Sequence, residues 1–208
     1  CELAGYEADD LLGTISRRAN ENGDECVILT GDRDSLQLVG GGTVVRLVKS
    51  ALGKTTYTSY TPEKFREEYG FDPIRLIDFK ALMGDSSDNI PGVKGVGEKG
   101  ARQLLADFGT LDGIYEHIDD ERIKKGVRTK LQADEQGARD SYWLATIDRN
   151  VPLELDVAHL PEQKIDREAL YSLLTRLEFD QFIRKLGLTE GGEAAAPRLP
   201  ALERCTIA

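Results

Sequence analysis

The sequence predicts an α/β layer over about residues 1–60 followed by an all-helical region over 61–186. Three observations predict it. Strand-like runs, CVILT (26–30), TVVRLV (43–48) and TTYTSY (55–60), all fall in the first sixty residues. Beyond them the apolar positions recur at helical spacing. The punctuation also changes, from a glycine turn (Gly40-Gly41-Gly42) between strands to Thr61-Pro62 and Asp72-Pro73, which open helices.

In order, residues 7–22 form a helix with Leu11, Leu12, Ile15 and Ala19 on one face and Gly23 as its stop. CVILT reads as a buried parallel strand, and 31–39 turns from its end into a short helix. TVVRLV is a second strand, and the alternating TTYTSY is an edge strand or hairpin arm. A helix runs from Thr61-Pro62 to Tyr69 and stops at Gly70, and another runs from Asp72-Pro73 to near Gly84. Further helices are expected at 98–107, 110–118, 127–147 with a break, 167–177 and 179–186. Tyr142, Trp143, Tyr171, Phe179 and Phe182 fall at helical spacing beside Leu and Ile and are assigned to the core. The segment 187–208, rich in Ala, Pro and Gly, reads as a linker or disordered tail. There is no internal repeat.

Composition narrows the function. Of 208 residues, 40% are hydrophobic, enough for a packed core. No apolar run approaches the roughly 20 residues of a membrane span. The opening CELAGYEADD is not a secretory leader, so a cytoplasmic protein is expected. The lack of an initiator Met suggests a fragment of something longer. Cys1, Cys26 and Cys205 are too widely spaced for a disulfide framework or a zinc site, and Cys26 is expected as a small buried hydrophobe in a reducing compartment.

The net charge of −10 alone argues against a nucleic-acid binder. The charge is uneven, however. Residues 1–40 carry nine acids and three bases, whereas RIKKGVRTK (122–130) carries five bases and no acid. An acidic focus beside a basic patch suits a metal-dependent enzyme that acts on a polyanion.

Three motifs pair acids at element boundaries: Glu7-x-Asp9-Asp10 at a helix start, Asp32-x-Asp34 after a strand, and Asp85-x-x-Asp88 after a helix. Each alone also suits helix capping, the helix dipole or an Asx turn. Were the three to converge, seven carboxylates would crowd together and require a counter-charge. Divalent cations supply it, and an all-oxygen set without His or Cys points to Mg²⁺ or Mn²⁺. Two such ions about 3.5–4 Å apart would clamp a phosphodiester, one activating water and the other stabilising the departing oxygen. His117 and His159 lie in the helical half and are expected at the surface or as caps.

IPGVKGVGEKGARQLL (90–105) is the second signal. Gly92, Gly95 and Gly97 punctuate a loop that opens a helix, where backbone N–H groups can approach a phosphate. Lys94, Lys99 and Arg102 lie on or just after it, and Arg33 lies between two of the acids. Contacts of this kind would hold a nucleic-acid backbone without reading its sequence. A dinucleotide-binding loop would need a strand before its glycines, and here a helix and turn precede them. The basic run 122–130 is either a second phosphate contact or a solvated face.

GYEADD, LTGDRDSLQLV, YTPEKFREEYG, DFKALMGDSSDNIPGVKGVGEKGA and LLADFGTLDGI occur here in the order seen in bacterial 5′-nucleases. Residues 4–186 resemble the 5′→3′ exonuclease (flap endonuclease) domain of bacterial DNA polymerase I. The resemblance implies an incomplete PIN-like parallel sheet core (1–60) and a helical helix–three-turn–helix DNA-binding region (61–186, hairpin 85–118). It implies that Glu7, Asp9, Asp10, Asp32, Asp34, Asp85 and Asp88 hold two metal ions. Of these, Glu7, Asp9 and Asp10 would serve the first, Asp85 and Asp88 the second, with Asp32 and Asp34 between. It further implies K⁺ at the glycine hairpin, a 5′-flap or nicked duplex DNA as partner, a monomer linked to a polymerase domain, and a role in primer removal and repair. The family's first core strand with its Asp, a further Asp and the helical arch have no match here, so the fragment is expected to lack them and to expose apolar sheet edges. Gly100 replaces a usual Thr and weakens its helix by up to about 1 kcal/mol. The rival expectation is a duplex DNA-binding module without hydrolysis.

Overall fold

The computed structural model describes residues 1–51, 54–160 and 164–191. Two compact units divide at His159–Leu160. The first opens with α1 (Ala8–Glu21), whose first turn carries Asp9 and Asp10. Acids there meet the positive end of the helix dipole. A three-stranded sheet follows in the order β1-β2-β3, with β1 (Cys26–Thr30) parallel to β2 (Thr43–Ala51) and β2 antiparallel to β3 (Lys54–Tyr60). Ile28 pairs with Val45, and Val45 with Tyr60, so one buried row crosses the sheet.

β1 departs from the expected buried strand. Ile28 is buried, but Val27 and Leu29 are 50% and 67% exposed. Successive side chains of a strand alternate faces, and β1 has a described partner on one side only, so the face opposite Ile28 is open. Cys26 is half-buried, and burial pushes its thiol up.

The helices begin with α2 (Pro62–Tyr69). Thr61 caps it by accepting the Lys64 amide at 3.3 Å, and Gly70 ends it at φ 83°. A 3-10 turn at Pro73–Arg75 leads into α3 (Leu76–Met83), seven of whose eight residues are buried. A helix buried nearly all round is a central element, and α3 packs against both α4 (Glu98–Phe108) and α7 (Glu135–Ala145). Between these lie α5 (Leu111–Glu116) and α6 (Lys125–Ala133), and the expected break in 127–147 falls at Asp134. Asp78 of α3, buried, accepts the Leu111 amide at 2.7 Å and so fixes the start of α5. One apolar cluster runs from Ile28, Val45 and Tyr60 through Phe65, Leu82, Leu104 and Ile114 to Leu131 and Ala138.

After α7 the chain returns along α1. Ile147 donates to Gln37 at 3.1 Å, Asp148 to Asp10 at 2.8 Å and Val151 to Thr14 at 3.0 Å. Arg18 donates to the carbonyls of Val151, Leu153 and Leu155. Gly13 permits this approach, because a Cβ there would stand 2.8 Å from the Ile147 side chain.

The second unit holds α8 (Arg167–Arg176) and α9 (Asp180–Leu186). Asp166 caps α8 by accepting the Ala169 amide at 2.9 Å, and Arg167 donates to the Gly187 carbonyl at 2.7 Å. Leu174 and Leu188 are buried there. The core assignment therefore fails for Phe179 and Phe182, which are exposed because so small a unit has little interior to offer. It also fails for Trp143, on the face of α7 that points away from α3, whereas Tyr142 is partly buried against the core. Of the expected tail, residues 192–208 lie outside the described residues. No helix among the described residues is long and apolar enough to cross a membrane.

Gly100 sits inside the first turn of α4 at an ordinary φ, and a Cβ there would meet only the Val96 side chain, at 3.7 Å. Gly100→Ala is expected to stabilise the protein by about 0.5–1 kcal/mol, because alanine loses less backbone freedom on folding. Urea midpoints at constant m-value check this, and an unchanged or lowered midpoint contradicts it.

Candidate metal centre and nucleic-acid interface

Three element boundaries bring the acids together. Glu7 precedes α1, and its amide donates to Asp10 at 3.1 Å, while the other Asp10 oxygen accepts Asp148. Asp32 follows β1 and accepts the Asp34 amide at 2.9 Å, which sets the turn that presents both carboxylates. Asp85 follows Gly84, where α3 ends. Asp85 and Ile90 exchange two backbone hydrogen bonds of 2.9 Å, closing the loop that carries Asp88.

Glu7, Asp9, Asp10, Asp32, Asp34 and Asp88 line one open cleft of about 920 Å³. Asp85 lines an adjoining one of about 530 Å³ together with Asp32, Asp34, Asp88 and Arg33. Asp34, Asp85 and Asp88 each offer an oxygen within 4.8 Å of the others. All seven acids singled out in the sequence thus border two clefts that share Asp32, Asp34 and Asp88.

Lys80, which the sequence reading passed over, stands among them. Its ammonium donates to Asp34, lies 2.6 Å from Asp85 and 3.3 Å from Asp88, and its side chain is 7% exposed. A lysine inside the apolar stretch LIDFKALM was the available signal, since a buried lysine requires partners.

Burial first, and neighbouring charges after it, shift these carboxyls. Burial raises Asp9, and the charges of Asp32, Asp10 and Asp88 add to it. Burial raises Asp34 to about 6 against the opposing hydrogen bond and charge of Lys80, with Asp32 and Asp88 pushing the same way as burial. Asp85 is also pushed up by burial, but hydrogen bonds from Lys80 and Ser87 outweigh this and hold it at about 2.

The sign of each effect follows. Folded Asp34 binds its proton more tightly than the unfolded chain, so its ionisation opposes folding. Without divalent cations, this group adds stability as the pH falls from about 7 to about 4. Asp85 acts oppositely: its contribution is complete above about 4 and is lost as the pH falls toward 2. The cation-free chain is therefore expected to gain stability between pH 7 and 5, and Asp34→Asn to flatten that limb. Urea midpoints across the range check this, and a limb unaltered by Asp34→Asn contradicts it.

The donor set fits hard divalent cations: carboxylate oxygens, with neither Cys nor His lining either cleft. His117, the cap residue of α5, and His159, bonded to Asp156, are both exposed in the helical half.

The hairpin residues sort into two groups. Lys94, Gly95, Gly97 and Lys99 are exposed, Gly97 just before α4. Arg33 is exposed too, and donates to the Tyr69 hydroxyl at 3.3 Å. Gly92 and Arg102, expected as phosphate contacts, are engaged within the fold. Gly92 is buried, its amide donates to Ser141 at 3.0 Å, and its backbone packs on Gly84. Arg102 donates to the Tyr69 carbonyl and to Glu98, and its guanidinium lies over the rings of Tyr69, Phe71 and Phe79. In the basic run, Arg122 pairs with Asp120 and Arg128 with Asp119, while Lys124 and Lys125 are exposed. Lys130 donates to the Gly95 carbonyl at 2.7 Å, so an ammonium already meets one hairpin oxygen.

Fold and site together define an α/β protein with a polycarboxylate cleft tethered to a glycine hairpin. Family models match along most of its length. The 5′-3′ exonuclease N-terminal resolvase-like domain matches residues 1–70, and the 5′-3′ exonuclease C-terminal SAM fold matches residues 71–168. The chain belongs to the 5′-3′ exonuclease family. It is 43% identical over 189 residues to DNA polymerase I of Caldicellulosiruptor bescii, covering 91% of this chain and 22% of that protein. Over 186 residues it is 41% identical to DNA polymerase I of Bacillus subtilis, covering 89% and 21%. The chain thus spans about a fifth of the length of the curated relatives it matches. Among solved structures, T5 5′-exonuclease with bound divalent metal ions (zinc) aligns with TM-score 0.58 at 26% identity, over 70% of this chain and 52% of that one. The catalytic core of Rad2 in complex with DNA substrate aligns with TM-score 0.57 at 18% identity, over 86% of this chain and 59% of that one, a likeness of fold.

Proposed function

We propose that this chain carries the active site of a structure-specific 5′-nuclease that hydrolyses DNA phosphodiesters at 5′ ends and flaps, in primer removal and repair in the cytoplasm, as a monomer joined to a polymerase domain. The observation that carries this is the convergence of seven acids from three distant element boundaries beside a glycine hairpin. Asp34, Asp85 and Asp88 would hold one divalent cation, Mg²⁺ or Mn²⁺, and Glu7, Asp9 and Asp10 would serve a second, with Asp32 between. Bound there, such ions polarise a phosphate and lower the pKa of a bound water. Lys80 orients three of the carboxylates through its ammonium. Arg33 on the rim offers a guanidinium to the backbone of the strand being cut. Gly95, Gly97, Lys94 and Lys99 present N–H groups and charge to the duplex backbone and position it without reading bases. A K⁺ ion at the hairpin would compete with Lys130 for the Gly95 carbonyl.

The test is cleavage of a 5′-labelled flap duplex by the 208-residue chain with Mg²⁺, with EDTA, and with Asp88→Ala. Cleavage that requires Mg²⁺ and falls at least about a hundredfold in the variant supports the reading. Near-normal cleavage by the variant sinks the metal assignment. One observation favours a second reading, a duplex-binding module without hydrolysis: Lys80 already supplies a counter-charge to three of the acids. Duplex binding with a steep salt dependence and no cleavage would select it.

A further inference from the structure

We infer that Trp143 is a stacking platform for an unpaired nucleobase of the strand whose phosphate lies at the acid cleft, an inference that rests on the nuclease reading above. Trp143 is the chain's single tryptophan and is 76% exposed. It is no loose surface residue, because α7 buries Ala138, Ser141 and Ala145 on its other side and packs against α3. Nor is it remote from the chemistry. Trp143 and its exposed neighbour Leu144 line the same cleft as Glu7, Asp9, Asp32 and Asp88.

That cleft sets its carboxylates, with Arg149 as a cation beside them, against an apolar part formed by Trp143 and Leu144. The carboxylates address a phosphate through cations and repel it otherwise. The indole and Leu144 offer nothing to a phosphate, but they match the remaining part of a nucleotide, the flat face of a base. Trp143 and Leu144, adjacent and both exposed, give the cleft an apolar stretch beside its carboxylates. Stacking on it tolerates any sequence, since every base has a π-face. A base within an intact duplex has both faces covered, so the platform selects a frayed or single-stranded end over paired DNA. A rigid platform at that position would fix which phosphate reaches the acids.

Trp143 also reports on itself. The chain is titrated with a dye-labelled short oligothymidylate and with an abasic strand of equal length, in buffer containing Ca²⁺ as the oxygen-ligated cation. Dye anisotropy reads binding, and emission excited at the red edge, beyond tyrosine absorption, reads the indole. The oligothymidylate is expected to bind and to quench the emission. The abasic strand is expected to bind about tenfold or more weakly and to leave the emission unchanged. Trp143→Ala should bind oligothymidylate as weakly as the wild type binds the abasic strand, and Trp143→Phe should recover most of the loss. Circular dichroism of both variants checks that the fold is kept. Oligothymidylate binding with unaltered emission, or equal affinity of Trp143→Ala, overturns the stacking assignment and leaves the nuclease reading standing. Failure of both strands to bind overturns the two together.

Discussion

Replacing Lys80 by methionine is expected to destabilise the cation-free protein by about 2–4 kcal/mol, and divalent cations are expected to reverse most of that loss. The ammonium is the shared partner of Asp34, Asp85 and Asp88 and is itself almost fully buried. Removing one member of a buried ionic group leaves the others uncompensated in a poorly solvating site. The lower end of the range reflects Asp88, whose carboxylate is half exposed and screened by water. A cation that binds only the folded state adds stability by mass action, about 2.7 kcal/mol at a hundred times its dissociation constant. In Lys80→Met the site has lost its competing positive charge. Its melting temperature should therefore rise further with added Mg²⁺ or Mn²⁺ than that of the wild type. Calorimetry with and without each ion decides. A variant as stable as the wild type without metal, or one that added metal does not rescue, shows that the three carboxylates are not a cation site.

Gly92→Ala is the second large effect, with an expected loss of about 4 kcal/mol or more. Gly92 has φ 61°, a left-handed conformation that alanine adopts only with strain. A Cβ there would also stand 2.6 Å from Gly84 Cα and drive into backbone rather than into a movable side chain. Relief requires moving the segment that carries Asp85 and Asp88, because Gly84 immediately precedes Asp85 and the Asp85–Ile90 bridge closes the loop. Stability and metal binding should therefore fall together, which a paired measurement of urea midpoint and Mn²⁺ affinity tests. The total stability of a domain is commonly about 5–15 kcal/mol, so the hairpin is expected to open well below the wild-type midpoint. A variant with normal values of both would show that the Gly84–Gly92 contact is dispensable.

These two residues mark the edge of what could be read in advance. The acids were legible because each motif sits where an element ends, at the start of α1, after β1 and after α3, and such boundaries are set by local signals. Lys80 was passed over because its partners are 46, 5 and 8 positions away and nothing beside it in LIDFKALM announces them. Gly92 was read as a phosphate contact because a glycine loop before a helix serves either purpose. Its burial against Gly84 and its bond to Ser141, 49 positions on, decide between them. The contacts of Arg102 are hidden from the sequence for a related reason: the rings of Tyr69, Phe71 and Phe79 beneath its guanidinium lie on other elements. Trp143 shares its helical spacing with core residues, yet only the direction of the α3 contact shows that it faces the cleft.

Taken alone, the order of residues determined the class of fold, the helix start at Thr61 and stop at Gly70, a break within 127–147 and the placing of the paired acids at element boundaries, because hydrophobic period and capping chemistry act over a turn or two of chain. Their meeting was decided by packing. α3 carries Lys80 toward the acids and ends where Asp85 begins, and the return segment 147–151 bonds to Asp10 and Thr14 across more than 130 positions. Contacts at that separation depend on how whole elements bury their apolar faces, which no short stretch of sequence encodes.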